Sequence, residues 1–267
     1  MLSYQYHRVL KKIAEITFPD SRILHFKIDI HPKELKSKHG DYRPHLIRIF
    51  NLSQKVDYTI STALHELAHH CEYSIYGDTG HSKRFYEVFK DLLETSIKMN
   101  IVDYNVIRTQ NNASDLTSLE RYFGPVTTTF DPAFTSDETV IKALNSFHCR
   151  QELQERGYFY DKVEKAWGKI LPNKEIEKEE QFLLTRLTPK DIIKRDLYDL
   201  TFEAIYFVFV PGGYQIKDNL QQYGYFYKII KSKKGWAKRI VATDLDQEKL
   251  FLNSLNVEDY KVLSSLK

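Results

Sequence analysis

Cysteine is scarce in this chain of 267 residues: there are two, Cys71 and Cys149, and they form no C-x-x-C pair. That argues against both a zinc ribbon and a disulfide framework. No apolar run approaches the length of a membrane span, and the N-terminus has no signal-peptide core. The expectation is a cytoplasmic protein without a membrane partner. Charge of one sign is also lacking: 39 Lys and Arg stand against 36 Asp and Glu, a net charge of +3. Such a balance is weak evidence about partners. Apolar residues, at 42%, and aromatics, at 13%, are plentiful enough for a globular protein. The length allows two domains, or one domain with additions.

The most informative stretch is His65-Glu66-Leu67-Ala68-His69, an H-E-x-x-H sequence. On a helix, residues four apart lie one turn apart on the same face, so His65 and His69 can present two imidazoles to one metal ion. Glu66 stands where it can reach a water on that metal and act as general base. Zinc, Zn2+, suits neutral imidazole ligands. Ile60, Leu64, Leu67 and Ala68 form an apolar stripe beside the histidines, no Pro or Gly interrupts Tyr58 to Tyr76, and Gly77 suits a left-handed end. His70 points about 100° away from His69 and is read as a surface or supporting residue. Cys71 is read as a small core residue.

A third ligand is needed. Gly77 to Phe85 reads as a turn entering a second helix, with Ser82 as its N-cap and Phe85, Phe89, Leu92, Leu93 and Ile97 as its buried face. His81, just before that helix, is the preferred third ligand. Glu87 and Glu94 are rivals, and Asp78 is a weaker one.

His65-Glu66-Leu67-Ala68-His69 followed by Gly80-His81-x-x-x-Phe85 resembles the SprT-like zinc metallopeptidases, a family that includes Spartan, the protease of DNA–protein crosslink repair, and to which the WLM proteases are related. The metzincin pattern does not fit, because Glu72 stands where its Gly belongs and Ile75 where its third His belongs. In the ImmA-like antirepressor proteases a further His follows; here that position is Tyr73. The resemblance covers roughly the first 110 residues. It implies a small zincin-like domain of helix, strands and helix, with a protein or peptide substrate. Many SprT-like proteins carry a four-cysteine zinc ribbon or recruitment motifs after the protease, and this chain has neither.

In chain order, residues 3–17 read as an amphipathic helix broken at Pro19. Residues 22–31 and 45–52 read as strands, and the second is the candidate edge for holding an extended peptide. His31 to Pro44 reads as polar and turn-rich, with His31, His39 and His45 as solvated loop histidines. Asn111-Asn112-Ala113-Ser114-Asp115 is a loop signal. Leu116 to Phe123 suggests a short helix stopped by Gly124-Pro125, and Thr127 to Thr129 a strand.

The second half repeats itself. Leu153 to Tyr160 reappears as Leu220 to Tyr227, at an offset of 67. Ala166-Trp167-Gly168-Lys169 reappears as Gly235-Trp236-Ala237-Lys238, at an offset of 69. The chain's two tryptophans occupy equivalent places, and the shift of two marks an insertion in the turn between. Each copy suggests strand, helix, strand, turn, strand, helix. Thr139–Leu144 and Ile205–Val210 are the first strands, and Lys174–Leu187 and Asp244–Leu255 the closing helices. The expected organisation is α+β: a zincin-like domain over 1–113, a connector with repeat copy one over 114–200, and copy two over 201–267. The repeat bears a loose likeness to short modules in mobile-element and phage DNA-handling proteins. In copy two Lys228, Lys231, Lys233, Lys234, Lys238 and Arg239 lie among aromatics that include Trp236, a candidate surface for DNA, single-stranded DNA above all. Copy one is far less basic.

The leading expectation is a zinc-dependent endopeptidase of SprT-like type acting on DNA-associated proteins. One alternative is a nucleic-acid-binding or interaction protein with a structural zinc. Another is an antirepressor or toxin-type protease of a mobile element.

Overall fold

The computed structural model describes residues 1–35, 37–110 and 114–266. Helix α1 (Leu2–Thr17) buries Leu2, Tyr6, Val9, Leu10 and Ile13, the positions that its 3.6-residue period selects. Strands β1 (Lys27–Ile30), β2 (Gly40–Arg43) and β3 (Leu46–Ile49) form one sheet in the order β1-β3-β2. Helix α2 (Val56–Tyr76) crosses this sheet. Helix α3 (Lys83–Lys98) packs on both α1 and α2. Helices α4 (Tyr104–Arg108) and α5 (Ser114–Phe123) close the unit, with α5 against α3.

Three sequence expectations change here. The strand over 22–31 shortens to β1, because Asp20 accepts the Arg22 amide at 2.9 Å and turns Ser21–Leu24 into a single 3-10 turn. The strand over 45–52 shortens to β3. It is not an edge: β1 pairs with it in parallel and β2 antiparallel. The edge is β2, within the segment read as turn-rich. Its Gly-Asp-Tyr-Arg sequence has no strand pattern. It is held on β3 by Asp41, which accepts two hydrogen bonds from Arg48 at 2.6 Å each. The third change is Thr127–Thr129, which is irregular. The proposed boundary at 113 lies outside the described residues.

The repeat is repeated in space. In copy one, β4 (Glu138–Ala143), α6 (Arg150–Glu155), β5 (Phe159–Asp161), β6 (Ala166–Pro172), α7 (Ile176–Leu184) and β7 (Ile192–Asp196) form a sheet in the order β5-β6-β4-β7. In copy two, β8 (Ile205–Pro211), α8 (Lys217–Gln222), β9 (Phe226–Ile230), β10 (Lys233–Val241), α9 (Leu245–Ser254) and β11 (Lys261–Leu263) give β9-β10-β8-β11, the same order. The registers match as well: Tyr160 pairs with Trp167, and Tyr227 with Trp236. The insertion lengthens the second hairpin by the pairs Ile229–Lys234 and Ile230–Lys233. Each module ends in a fourth strand that the sequence pattern did not show.

Copy one is joined to the first unit through α1. The Leu2 amide donates to Asp161 Oδ2 at 2.6 Å, and Gln5 Nε2 donates to the Leu197 and Asp199 carbonyls at 3.0 and 2.9 Å. Arg8 Nη1 donates to Glu138 at 2.9 Å. Among the described residues no helix is long and apolar enough to cross a membrane.

Candidate metal centre

Helix α2 buries Ile60, Ala63, Leu64, Leu67, Ala68 and Cys71 against the sheet and α1. That apolar face fixes its rotation and leaves His65 and His69 on the flank towards α3. The helix stops at Gly77, whose φ of 82° is left-handed and whose amide donates to the Tyr73 carbonyl at 2.8 Å. Ser82 caps α3, accepting the Phe85 amide. Between these two ends the chain turns back, and His81 meets the first helix.

Three imidazoles converge. His65 Nε2 lies 3.1 Å from His69 Nε2 and 3.2 Å from His81 Nε2. A ligand atom from each lies within 4.8 Å of the others. Tetrahedral zinc bonded at 2.0–2.1 Å needs nitrogens about 3.3–3.4 Å apart. A neutral ring nitrogen is either donor or acceptor, so His65 Nε2 cannot satisfy both neighbours. Burial, with repulsion from His81 and, for His69, from His65, holds both His65 and His69 at about 3, far below the ordinary imidazole range, so a proton does not relieve the crowding. A cation would, and the donor set fits zinc.

The orientation of His69 is set from outside. Its Nδ1 lies 2.8 Å from Thr79 Oγ1. That hydroxyl donates to Glu72 Oε2 at 2.8 Å, so it accepts from His69 Nδ1–H and leaves the Nε2 lone pair facing the cluster. Glu72 is fully buried, and it also accepts from the Gly80 amide at 3.1 Å and from Arg84 Nε at 2.8 Å. His65 Nδ1 lies 3.3 Å from Asp115 Oδ2, a charge contact without the alignment of a hydrogen bond. Phe85 and Phe89 border the rings, with Phe85 4.3 Å from His69 and Phe89 5.8 Å from His65.

Glu66 is 6% exposed and has no hydrogen-bond or ion-pair partner among the described residues. Burial, then the negative charges of Asp41 and Asp115, push its carboxyl up to about 8. It faces a cleft of about 260 Å³ lined by Gly40, Thr62, His65 and Asp115. A Cβ at Gly40 would lie 2.8 Å from Glu66 Oε1 and 2.7 Å from Thr62 Cγ2, so only glycine lets the β2 edge approach this closely.

The rival ligands lie elsewhere. Asp78 pairs with Arg84 at 2.7 Å, Glu94 pairs with Lys90 at 2.7 Å, and Glu87 is exposed. His70 is buried between the Tyr42 hydroxyl and the Ile23 carbonyl, and Cys71 is buried. Sequence reasoning missed Glu72, Thr79 and Asp115. Glu72 had a signal, since it lies on the helix face of His69. Asp115 had none, because only folding brings α5 to the site.

The basic surface of copy two does not hold together. Strand alternation puts Lys228, Lys233 and Arg239 on one face of the sheet and Lys234, Trp236 and Lys238 on the other, with Lys231 in the turn. Trp236 is 5% exposed and packs in the core. Lys238 donates to Glu248 at 2.5 Å, and Glu248 also accepts from the Tyr225 hydroxyl at 2.6 Å. Copy one has a related arrangement, with Glu179 accepting from Arg156 at 3.2 and 3.1 Å and from Lys169 at 3.4 Å. Lys238 is thus part of the module's architecture. Compared with protein-family models, curated proteins and solved structures, the chain matches none.

Proposed function

We propose that the protein is a zinc-dependent endopeptidase of SprT-like type, with His65, His69 and His81 holding the metal and Glu66 as general base. One observation carries this reading: three imidazole nitrogens, two pairs of them 3.1 and 3.2 Å apart, converge within 4.8 Å beside a buried carboxyl with no partner among the described residues. A purely structural zinc has no use for such a carboxylate. Bound zinc supplies Lewis acidity, polarising the scissile carbonyl and lowering the pKa of water.

The remaining chemistry belongs to the chain. Glu66 takes the proton from the attacking water and passes it to the leaving amine. Its carboxyl is buried and has no partner among the described residues, so none of them competes with the water for it. Thr79 and Glu72 hold His69 in the required tautomer. The unpaired edge of β2 passes the site at Gly40, where an extended peptide adds as a further strand and brings its carbonyl over the cleft. The test is cleavage of unfolded and DNA-associated proteins by the zinc-loaded protein, with Glu66→Gln alongside. Cleavage lost in a variant that retains zinc supports the reading. Equal cleavage by both refutes it.

A further inference from the structure

Between the two modules lies a second cleft, of about 730 Å³, lined by none of the residues of the histidine site. Its walls come from opposite sides of the duplication. From copy one, Tyr160 and Trp167 are cross-strand neighbours with ring centroids 5.5 Å apart. Phe147, just before α6, stands beside them, 73% exposed, with the Arg150 guanidinium 4.4 Å from its ring centroid. From copy two, Phe207 and Arg239 are paired across β8 and β10, on the sheet face away from Trp236.

The charge in this cleft is one-sided. Lys162, Lys165 and Arg239 line it, no carboxylate does, and none of the three has a carboxylate partner among the described residues. Burial lowers the affinity of Lys165 for its proton; nearby Asp161 opposes this, and repulsion from Arg239 and Lys162 adds to it. The modules thus bring unbalanced positive charge together where open ring faces also lie. A ligand that suits both features is anionic and carries flat apolar groups. A single strand of nucleic acid offers both in one chain, with phosphates for the cations and unstacked bases for the rings. A duplex keeps its base faces covered, and an acidic peptide leaves the rings unused.

We propose that the cleft between the modules binds single-stranded nucleic acid, with bases stacked on Phe147 and Tyr160 and phosphates held by Lys162, Lys165 and Arg239. The site is distinct from the hairpin surface suggested by sequence, since only Arg239 belongs to both. It does not depend on the peptidase reading. The equivalent aromatics of copy two are Tyr214, Tyr227 and Trp236. Two of them are engaged with each other, Tyr214 and Tyr227 joined through their hydroxyls at 3.3 Å.

The test is fluorescence anisotropy of a labelled oligothymidylate titrated with the full chain. Three phosphate contacts predict an affinity whose logarithm falls with that of salt at a slope of about −2. Phe147→Ala, a change at an exposed position, is expected to weaken binding by about tenfold, and Phe147→Tyr to retain it. Arg239→Glu is expected to weaken binding at least as much and to flatten the salt slope. Lys231→Glu with Lys234→Glu, on the hairpin of copy two, is expected to change affinity by less than about threefold, as charges outside the contact do. Thermal unfolding of each variant checks that the fold is kept. Three results overturn the proposal: no binding at low salt; binding that Phe147→Ala and Arg239→Glu leave unchanged; or equal competition by oligoglutamate against the parent and Phe147→Ala, which would make the cleft a receptor for acidic peptide.

Discussion

The histidine site and the duplicated modules bury ionisable groups in opposite ways. In the modules each buried charge is matched. Lys142 donates to Glu164 at 2.8 Å, Asp161 accepts the amides of Val163 and Glu164, Glu179 accepts from Arg156 and Lys169, and Glu248 from the Tyr225 hydroxyl and Lys238. At the site, Glu66 is buried without a partner and three imidazole nitrogens crowd one point. A buried charge left unmatched costs several kcal/mol, while a matched one fixes geometry. Such an unmatched arrangement is what the proposed metal would relieve. The duplication strengthens the contrast, since a Glu–Lys pair at equivalent positions, Glu179 with Lys169 and Glu248 with Lys238, occurs in both copies and therefore belongs to the scaffold.

The comparison can be broken at either end, most severely at Glu66. Glu66→Gln is expected to lower peptide cleavage by about 10²–10⁴-fold with zinc content unchanged, measured by turnover and metal analysis. His81→Ala is expected to lower zinc affinity by more than the roughly 10–100-fold that an outer partner supplies. A competition titration with a chelating dye reads this directly, and unchanged affinity would remove His81 from the ligand set. On the scaffold side, Glu248→Ala strands the Tyr225 hydroxyl and Lys238. The expected cost is about 2–3 kcal/mol in denaturant unfolding, with zinc binding intact. A variant that loses zinc instead would erase the distinction between the two regions.

Finer changes sharpen the contrast. Thr79→Val removes the acceptor that orients His69 while keeping the side chain's shape, and is expected to weaken zinc binding by about 10–100-fold. A last contrast concerns pH in the metal-free protein. His65 and His69 lie near 3 when folded and near 6.5 when unfolded, so the unfolded chain binds more protons at acid pH. The stability they contribute is present above about pH 6.5 and is lost as pH falls towards 3. The melting temperature of chelator-treated protein should fall over that range, and His65→Gln with His69→Gln should flatten the fall.

Local sequence carried the elements far and their neighbours only part of the way. Helices α1, α2 and α3 were legible because their apolar residues recur at the helical period, and Gly77 and Ser82 mark ends that the backbone uses. The copies were legible because the same side chains recur in order. Strand β2 was not, because Gly-Asp-Tyr-Arg has no alternating pattern and pairs through the Asp41–Arg48 contact. The lysines of the hairpin were close in sequence yet divide between two faces, since a strand turns each successive side chain over.

By itself the sequence determined the H-E-x-x-H helix, the returning His81 and the duplication, all of which rest on spacing along the chain. Only the tertiary structure decided which edge passes Glu66, that Glu72 and Thr79 orient His69, that Asp115 reaches His65, and that the copies enclose a basic, aromatic cleft. The physical reason is the range of the contacts. Helical faces, caps and repeats are fixed by residues a few positions apart, whereas the site's surroundings and the cleft join residues from separate elements, placed by the packing of the whole core.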